Sequence, residues 1–108
     1  MSAYAVGQIK DVNMGSDIVA YLEQIDATLA PFGGQFIIHG GAIEALEGSF
    51  EGDIVVIAFP DLERTRRWYG SPGYQAILPL RTANACSTAF IVEGVDAAHK
   101  ATDILVQS

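Results

Sequence analysis

Asp53-Ile54-Val55-Val56-Ile57-Ala58-Phe59-Pro60 is the stretch that decides the fold. Six apolar residues, mostly β-branched or aromatic, stand between an aspartate and a proline, which is the length of a strand rather than of a helix. Alternation along a strand sends Ile54, Val56 and Ala58 one way and Val55, Ile57 and Phe59 the other. Both sets are apolar, so the sequence predicts a central strand in a sheet covered on both faces. A chain of 108 residues has helices for one face only. Leaving Val55, Ile57 and Phe59 wet would forfeit roughly 1.5–3 kcal/mol each. These three are therefore expected to take their cover from a second copy of the chain.

Outward from that strand, the remaining elements follow from local signals. Ala3–Lys10 reads as a first strand and Gln35–His39 as a second, stopped by Gly40-Gly41. Between them Ser16 is expected to cap a helix whose buried stripe is Ile18, Tyr21, Leu22, Ile25 and Leu29; Pro31 and Gly33-Gly34 end it. A long connection, Ala42 to Gly52, leads into the central strand. After it, Asp61 caps a helix carrying Leu62, Thr65, Trp68 and Tyr69, Gly70 interrupts, and Ser71-Pro72 restarts a helix carrying Tyr74, Ile77 and Leu78. Pro79 is expected to kink or end that helix. Cys86–Glu93 is the fourth strand, and Asp96 is expected to cap a final helix in the tail.

The order is β-α-β twice over. Interleaved, two such units give an α+β, ferredoxin-like split βαβ sandwich: a four-stranded antiparallel sheet with two helices on one face, the first and third strands central. The domain is expected to span residues 1–95, with 96–108 a helical tail. The bare sheet face then implies an isologous homodimer through that face, a dimeric α/β barrel.

Composition bounds the function. Half the residues are apolar and the mean hydropathy is +0.27, so the chain folds. No apolar run approaches a membrane span, and Met1-Ser2-Ala3-Tyr4 lacks the opening of a signal segment, so a cytoplasmic protein is expected. A net charge of −7 disfavours nucleic acid and anionic membrane as partners. Arg64, Arg66 and Arg67 read as a solvated helix face. The single cysteine, Cys86, excludes an intrachain disulfide and reads as a small buried hydrophobe.

A set of short motifs falls in one order: Phe32-Gly33-Gly34-Gln35-Phe36, His39-Gly40-Gly41, Leu46-Glu47-Gly48, Phe59-Pro60, Trp68-Tyr69-Gly70-Ser71-Pro72-Gly73-Tyr74-Gln75, Leu80-Arg81 and Val92-Glu93-Gly94. From Tyr4 to Val95 the chain resembles the DUF1330 family, a domain of unknown function in the dimeric α/β-barrel superfamily. The resemblance implies the ferredoxin-like fold and a sheet-to-sheet dimer. In one place the sequence departs from the family pattern: His39 stands where arginine precedes the glycine pair, so a group that titrates near neutrality replaces a fixed cation.

The candidate chemistry gathers around these motifs. His39, beside glycines that let a ligand approach closely, is the candidate general acid or base; the alternative is a strand-end histidine bonded to backbone. Tyr69 and Arg81 complete the candidate catalytic set, Arg81 as a carboxylate clamp, with a salt bridge to Glu47 or Glu93 as its competing role. Glu47, Ser71 and Tyr74 are candidate substrate-binding residues, although a helix cap is the simplest role for Ser71 and a surface carboxylate for Glu47. Trp68 is expected in the core. No metal-ligand spacing is present, and a single histidine supports haem poorly, so no cofactor is expected. Two functions stand open: a small-molecule enzyme working by proton transfer in a cleft between the sheet and the loops at its rim, or a non-catalytic ligand-binding or stress-associated dimer.

Overall fold

In the computed structural model, which describes residues 1–106, the apolar stretch forms β3 (Asp53–Phe59). It pairs antiparallel with β1 (Ala3–Lys10) on one side and β2 (Gln35–His39) on the other. β4 (Cys86–Glu93) pairs with the far edge of β1, giving the sheet order β2-β3-β1-β4. The most apolar strand, β3, is thus a central one. This is the ferredoxin-like α+β topology that the element order predicts.

Helix α1 (Ser16–Leu29) joins β1 to β2 through a 3₁₀ turn at Ala30–Phe32. α2 (Leu62–Tyr69) and α3 (Pro72–Thr82) join β3 to β4. Both caps of the second crossover form as expected. Asp61 Oδ1 accepts from the Arg64 N–H at 2.8 Å, and Ser71 Oγ accepts from the Tyr74 N–H at 3.3 Å. The first does not: Ser16 is already helical, Gly15 holds the cap position, and its carbonyl accepts from the Val19 N–H at 3.1 Å. Pro79 neither ends nor replaces its helix, which runs on to Thr82. The ring removes a bond to the carbonyl four residues back, on Gln75, and both residues are exposed, so water can satisfy that carbonyl.

The helices choose the face carrying Val55, Ile57 and Phe59. Across the ladder these meet Gly7, Ala5 and Ala3, whereas the opposite face of β1 carries Tyr4, Val6 and Gln8. Small residues leave room for Tyr21, Trp68 and Tyr74 to descend onto the sheet, so Ile57 and Phe59 are buried with Ile25, Leu29 and Ile77. The expectation that this set would lie against a second copy is therefore corrected. Its own helices cover it, and the uncovered face is the Ile54, Val56 and Ala58 side, where Ile38 is 45%, Phe90 53% and Val92 46% exposed. Alternation showed two apolar sets; only the size of the residues on the neighbouring strand separates them.

Two smaller expectations also change. Cys86 is exposed, because it opens the edge strand β4. In the tail, Asp96 caps a turn, accepting from Ala98 N–H at 3.0 Å, and the helical part is a 3₁₀ segment at Ala101–Val106. The last two residues of the expected tail helix, Gln107 and Ser108, lie outside the described residues. No helix among the described residues is long and apolar enough to cross a membrane.

Candidate functional site

A cavity of about 600 Å³ lies between the helix-covered face of the sheet and the helices above it. The expected cleft was bounded by the sheet and the loops at its rim; this one is bounded by the sheet and its helices. Its sheet side is lined by Ala5, Gly7, Val55, Ile57 and Ala89, and its helix side by Ile18, Tyr21, Ile25, Trp68 and Tyr74. Short side chains on β1 and β4 leave this space unfilled. The exposed lining residues Met14, His39, Arg66 and Tyr69 mark the mouth.

His39 reaches the cavity because β2 is irregular. Phe36 pairs with Ile57, but Ile38 pairs with Val56, so the register shifts by one residue between them. In a regular strand, residues three apart point to opposite faces. The bulge turns His39 onto the face of Phe36, and the imidazole stacks on that ring at 4.4 Å with 14° between planes. Gly40, at φ +70°, then turns the chain away, and its N–H donates to the Ile54 carbonyl at 3.0 Å.

α3 brings Tyr74 and Arg81 to one side, seven residues and so about two helical turns apart. α1 supplies Tyr21, whose hydroxyl lies 2.8 Å from that of Tyr74. Arg81 Nη2 donates to the Tyr74 oxygen at 3.5 Å, Nη1 donates to Ser87 Oγ, and the guanidinium carbon lies 5.8 Å from the centre of the Tyr21 ring. Arg81 is 7% exposed and forms no ion pair among the described residues. The expected bridge to Glu47 or Glu93 is absent. Glu93 lies at the opposite end of β4 from Ser87, about 20 Å away at a strand's rise per residue, and Glu47 is exposed in the long connection.

Burial alone would lower the Arg81 pKa, but its contacts with Tyr74 and Tyr21 outweigh that, and the net shift is upward. Burial raises the Tyr21 pKa well above its ordinary value of 10.0, and Tyr74 adds to the effect while Arg81 opposes it. Tyr21 thus keeps its proton in the folded protein at a pH where the unfolded chain loses it. Its contribution to stability is complete below pH 10 and is lost as pH rises beyond that. In a spectrophotometric alkaline titration, Tyr21 is expected to ionise only together with unfolding. A Tyr21→Phe variant should lose that late, cooperative component; its persistence in the variant would assign it elsewhere.

The aromatic wall is continuous. The Trp68 ring centre lies 4.1 Å from that of Tyr74, and Tyr69 lies 5.6 Å from Tyr74. The indole N–H donates to Thr28 Oγ1 at 3.0 Å, which fixes the Trp68 ring in the core as expected. Of the candidate residues, His39, Tyr69, Tyr74 and Arg81 line one cavity. Ser71 and Glu47 do not. The Ser71 hydroxyl is committed to the cap and to the Trp68 carbonyl at 2.7 Å. Three polar lining residues were not among the candidates: Tyr21, hidden in a helix stripe, Asp53, and Arg66, read as solvated. The presence of a hydroxyl in an otherwise aliphatic stripe was the available signal for Tyr21.

Comparison with known proteins agrees with this fold. A protein of unknown function from Rhodopseudomonas palustris superposes with a TM-score of 0.68 at 12% identity, covering 88% of this chain and 83% of its own. A dimeric ferredoxin-like protein of unknown function from Jannaschia sp. CCS1 gives 0.63 at 12% identity, over 87% of this chain and 100% of its own. SnoaB, a cofactor-independent oxygenase from Streptomyces nogalater, gives 0.52 at 13% identity, over 92% and 96%. At these identities the likeness shows the fold alone. A search of curated proteins finds no match. The family model described as a domain of unknown function, DUF1330, matches residues 2–95, and the chain belongs to that family.

Proposed function

We propose that this protein is a homodimeric small-molecule enzyme that moves a proton on an apolar carbonyl compound held in the cavity, with no bound cofactor. The observation that carries the reading is Arg81: a buried cation beside two phenols, facing a mostly apolar space, with no ion pair among the described residues. A carbonyl oxygen placed there accepts hydrogen bonds from the guanidinium and a phenol. Negative charge developing on it is stabilised by donors already held beside it. His39, at the mouth and on the opposite edge of the sheet from the strand that holds Arg81, takes the proton from a carbon conjugated with the carbonyl through the length of the ligand. The C–H electron pair moves into the enolate and its charge to the oxygen. Return of the proton from the imidazolium to a different carbon gives the isomer, and no electron acceptor is consumed. A cofactor-independent oxygenase of the same fold supports the view that such a cavity can act on a substrate with protein groups alone.

The reading is tested by following solvent deuterium into an aryl ketone by NMR. Incorporation above the buffer rate that His39→Ala removes supports it. Binding of the ketone without enhanced exchange would leave a binding module in its place.

The exposed apolar sheet face supplies the homodimer. Ile38, Phe90 and Val92 lie on it with Val6, Ile54 and Val56, and two such faces stacked about a two-fold axis bury each other. Two solved neighbours of this fold are themselves described as dimeric. Light scattering on an eluting sample is expected to give twice the 11.5 kDa of one chain. Val92→Asp places a charge in that contact and should shift the mass to one chain without lowering helix content. A monomeric wild-type protein would refute the assembly.

A further inference from the structure

We propose that the cavity selects a monoanion: an apolar, flat molecule whose polar end is two oxygens sharing one negative charge, seated on Arg81, Tyr74 and Tyr21. This rests on the cavity being the functional site, and it goes further by naming the class of ligand.

The argument is a count of protons. Tyr21 and Tyr74 each carry one hydroxyl hydrogen, and their oxygens are 2.8 Å apart, so only one of the two can lie between them. The Tyr74 oxygen also accepts from Arg81 Nη2. Whichever phenol donates within the pair, the other hydroxyl is left with no acceptor among the described residues. The guanidinium has five N–H groups, of which those at Ser87 and Tyr74 are engaged. The cluster therefore holds a surplus of donors and a full positive charge, yet Tyr74 is 2% exposed and Arg81 enters no ion pair. Buried donors and buried charge demand partners. An acceptor that brings the missing negative charge satisfies both demands at once.

The remainder of the lining sets the body of the ligand. Ile18, Ile25, Val55, Ile57 and the Trp68 ring are apolar. A Cβ on Gly7 would meet nothing nearer than 3.9 Å, so the glycine is not forced by its neighbours and its missing side chain leaves room. A volume of about 600 Å³ suits a fused aromatic ring system. The chain as a whole carries −7, so its overall field repels an anion. Selectivity must come from the local donors, since the two exposed charges in the lining, Arg66 and Asp53, are of opposite sign.

The test uses the full chain and three naphthalene probes of one size, followed by quenching of the single tryptophan. Naphthoate is expected to bind at least tenfold more tightly than naphthalenemethanol, and naphthylmethylammonium most weakly. This series reads charge preference on the wild-type protein and needs no variant to fold. Arg81→Gln should then bring naphthoate to the level of the alcohol. Benzoylacetone, whose enolate spreads its charge as a carboxylate does, separates the two sources: tighter binding than naphthoate assigns a dione, weaker a carboxylic acid. Equal binding of naphthoate and alcohol, or a preference that survives Arg81→Gln, overturns the anion assignment and leaves the cavity reading standing. Failure of all three probes to bind overturns both. Preference for naphthoate without isotope exchange into any ketone sinks the catalytic reading alone.

Discussion

Replacing Arg81 by glutamine is expected to lower kcat/KM for deuterium exchange by about 10²–10³-fold, the usual cost of removing one donor from a site that stabilises a developing oxyanion. Glutamine keeps a hydrogen-bond donor and roughly the reach to Ser87, but it removes a charge that enters no ion pair among the described residues. The fall should appear mainly in kcat, because charge on the substrate oxygen is greatest in the transition state. Tyr74→Phe should cost less, since the Tyr21 hydroxyl remains beside the same space. Circular dichroism melts run alongside would separate catalysis from folding. An Arg81→Gln protein that folds and exchanges at the wild-type rate would remove the guanidinium from the mechanism.

Phe59→Ala carries the largest expected effect on stability. The ring is 2% exposed, its centre lies 5.3 Å from that of Trp68, and a Cβ built on Gly34 would come within 2.7 Å of it. Packing that tight leaves little for the surroundings to collapse into. The cost is therefore about 3–5 kcal/mol, the transfer of the ring plus the void it leaves. A domain of this size has only about 5–15 kcal/mol in total. Urea unfolding should show the midpoint lowered by that cost divided by the slope, with the slope itself nearly unchanged. A loss below about 1 kcal/mol would mean that the helices do not rest on this side of β3. Truncating Val92 on the opposite face, where it is 46% exposed, should cost a single chain far less.

Those two residues divide what could be read from what could not. The strands at Ala3–Lys10, Gln35–His39 and Cys86–Glu93, and the caps at Asp61 and Ser71, were legible because each is set by neighbours in the chain: β-branched runs, a proline or glycine stop, an oxygen reaching an N–H three residues on. Their alternation implied the sheet order as well. The Ser16 cap failed on the same local scale, because helix boundaries move by a residue at little cost.

The site was legible as a list and not as a place. His39, Tyr69, Tyr74 and Arg81 stood out by type, and all four line one cavity, yet nothing in their spacing puts His39 on the helix side of the sheet. That needs the bulge between Phe36 and Ile38, a property of how β2 pairs with β3.

By itself, then, the sequence determined the elements, their order and the existence of two apolar sheet faces, since propensity and period act over a few residues. Only the tertiary structure decided which face the helices take, that Arg81 enters no ion pair among the described residues, and that Tyr21 from one helix meets Tyr74 from another. Each of these depends on side-chain size and distance across strands and helices far apart in the chain, and on which buried groups end up satisfying one another.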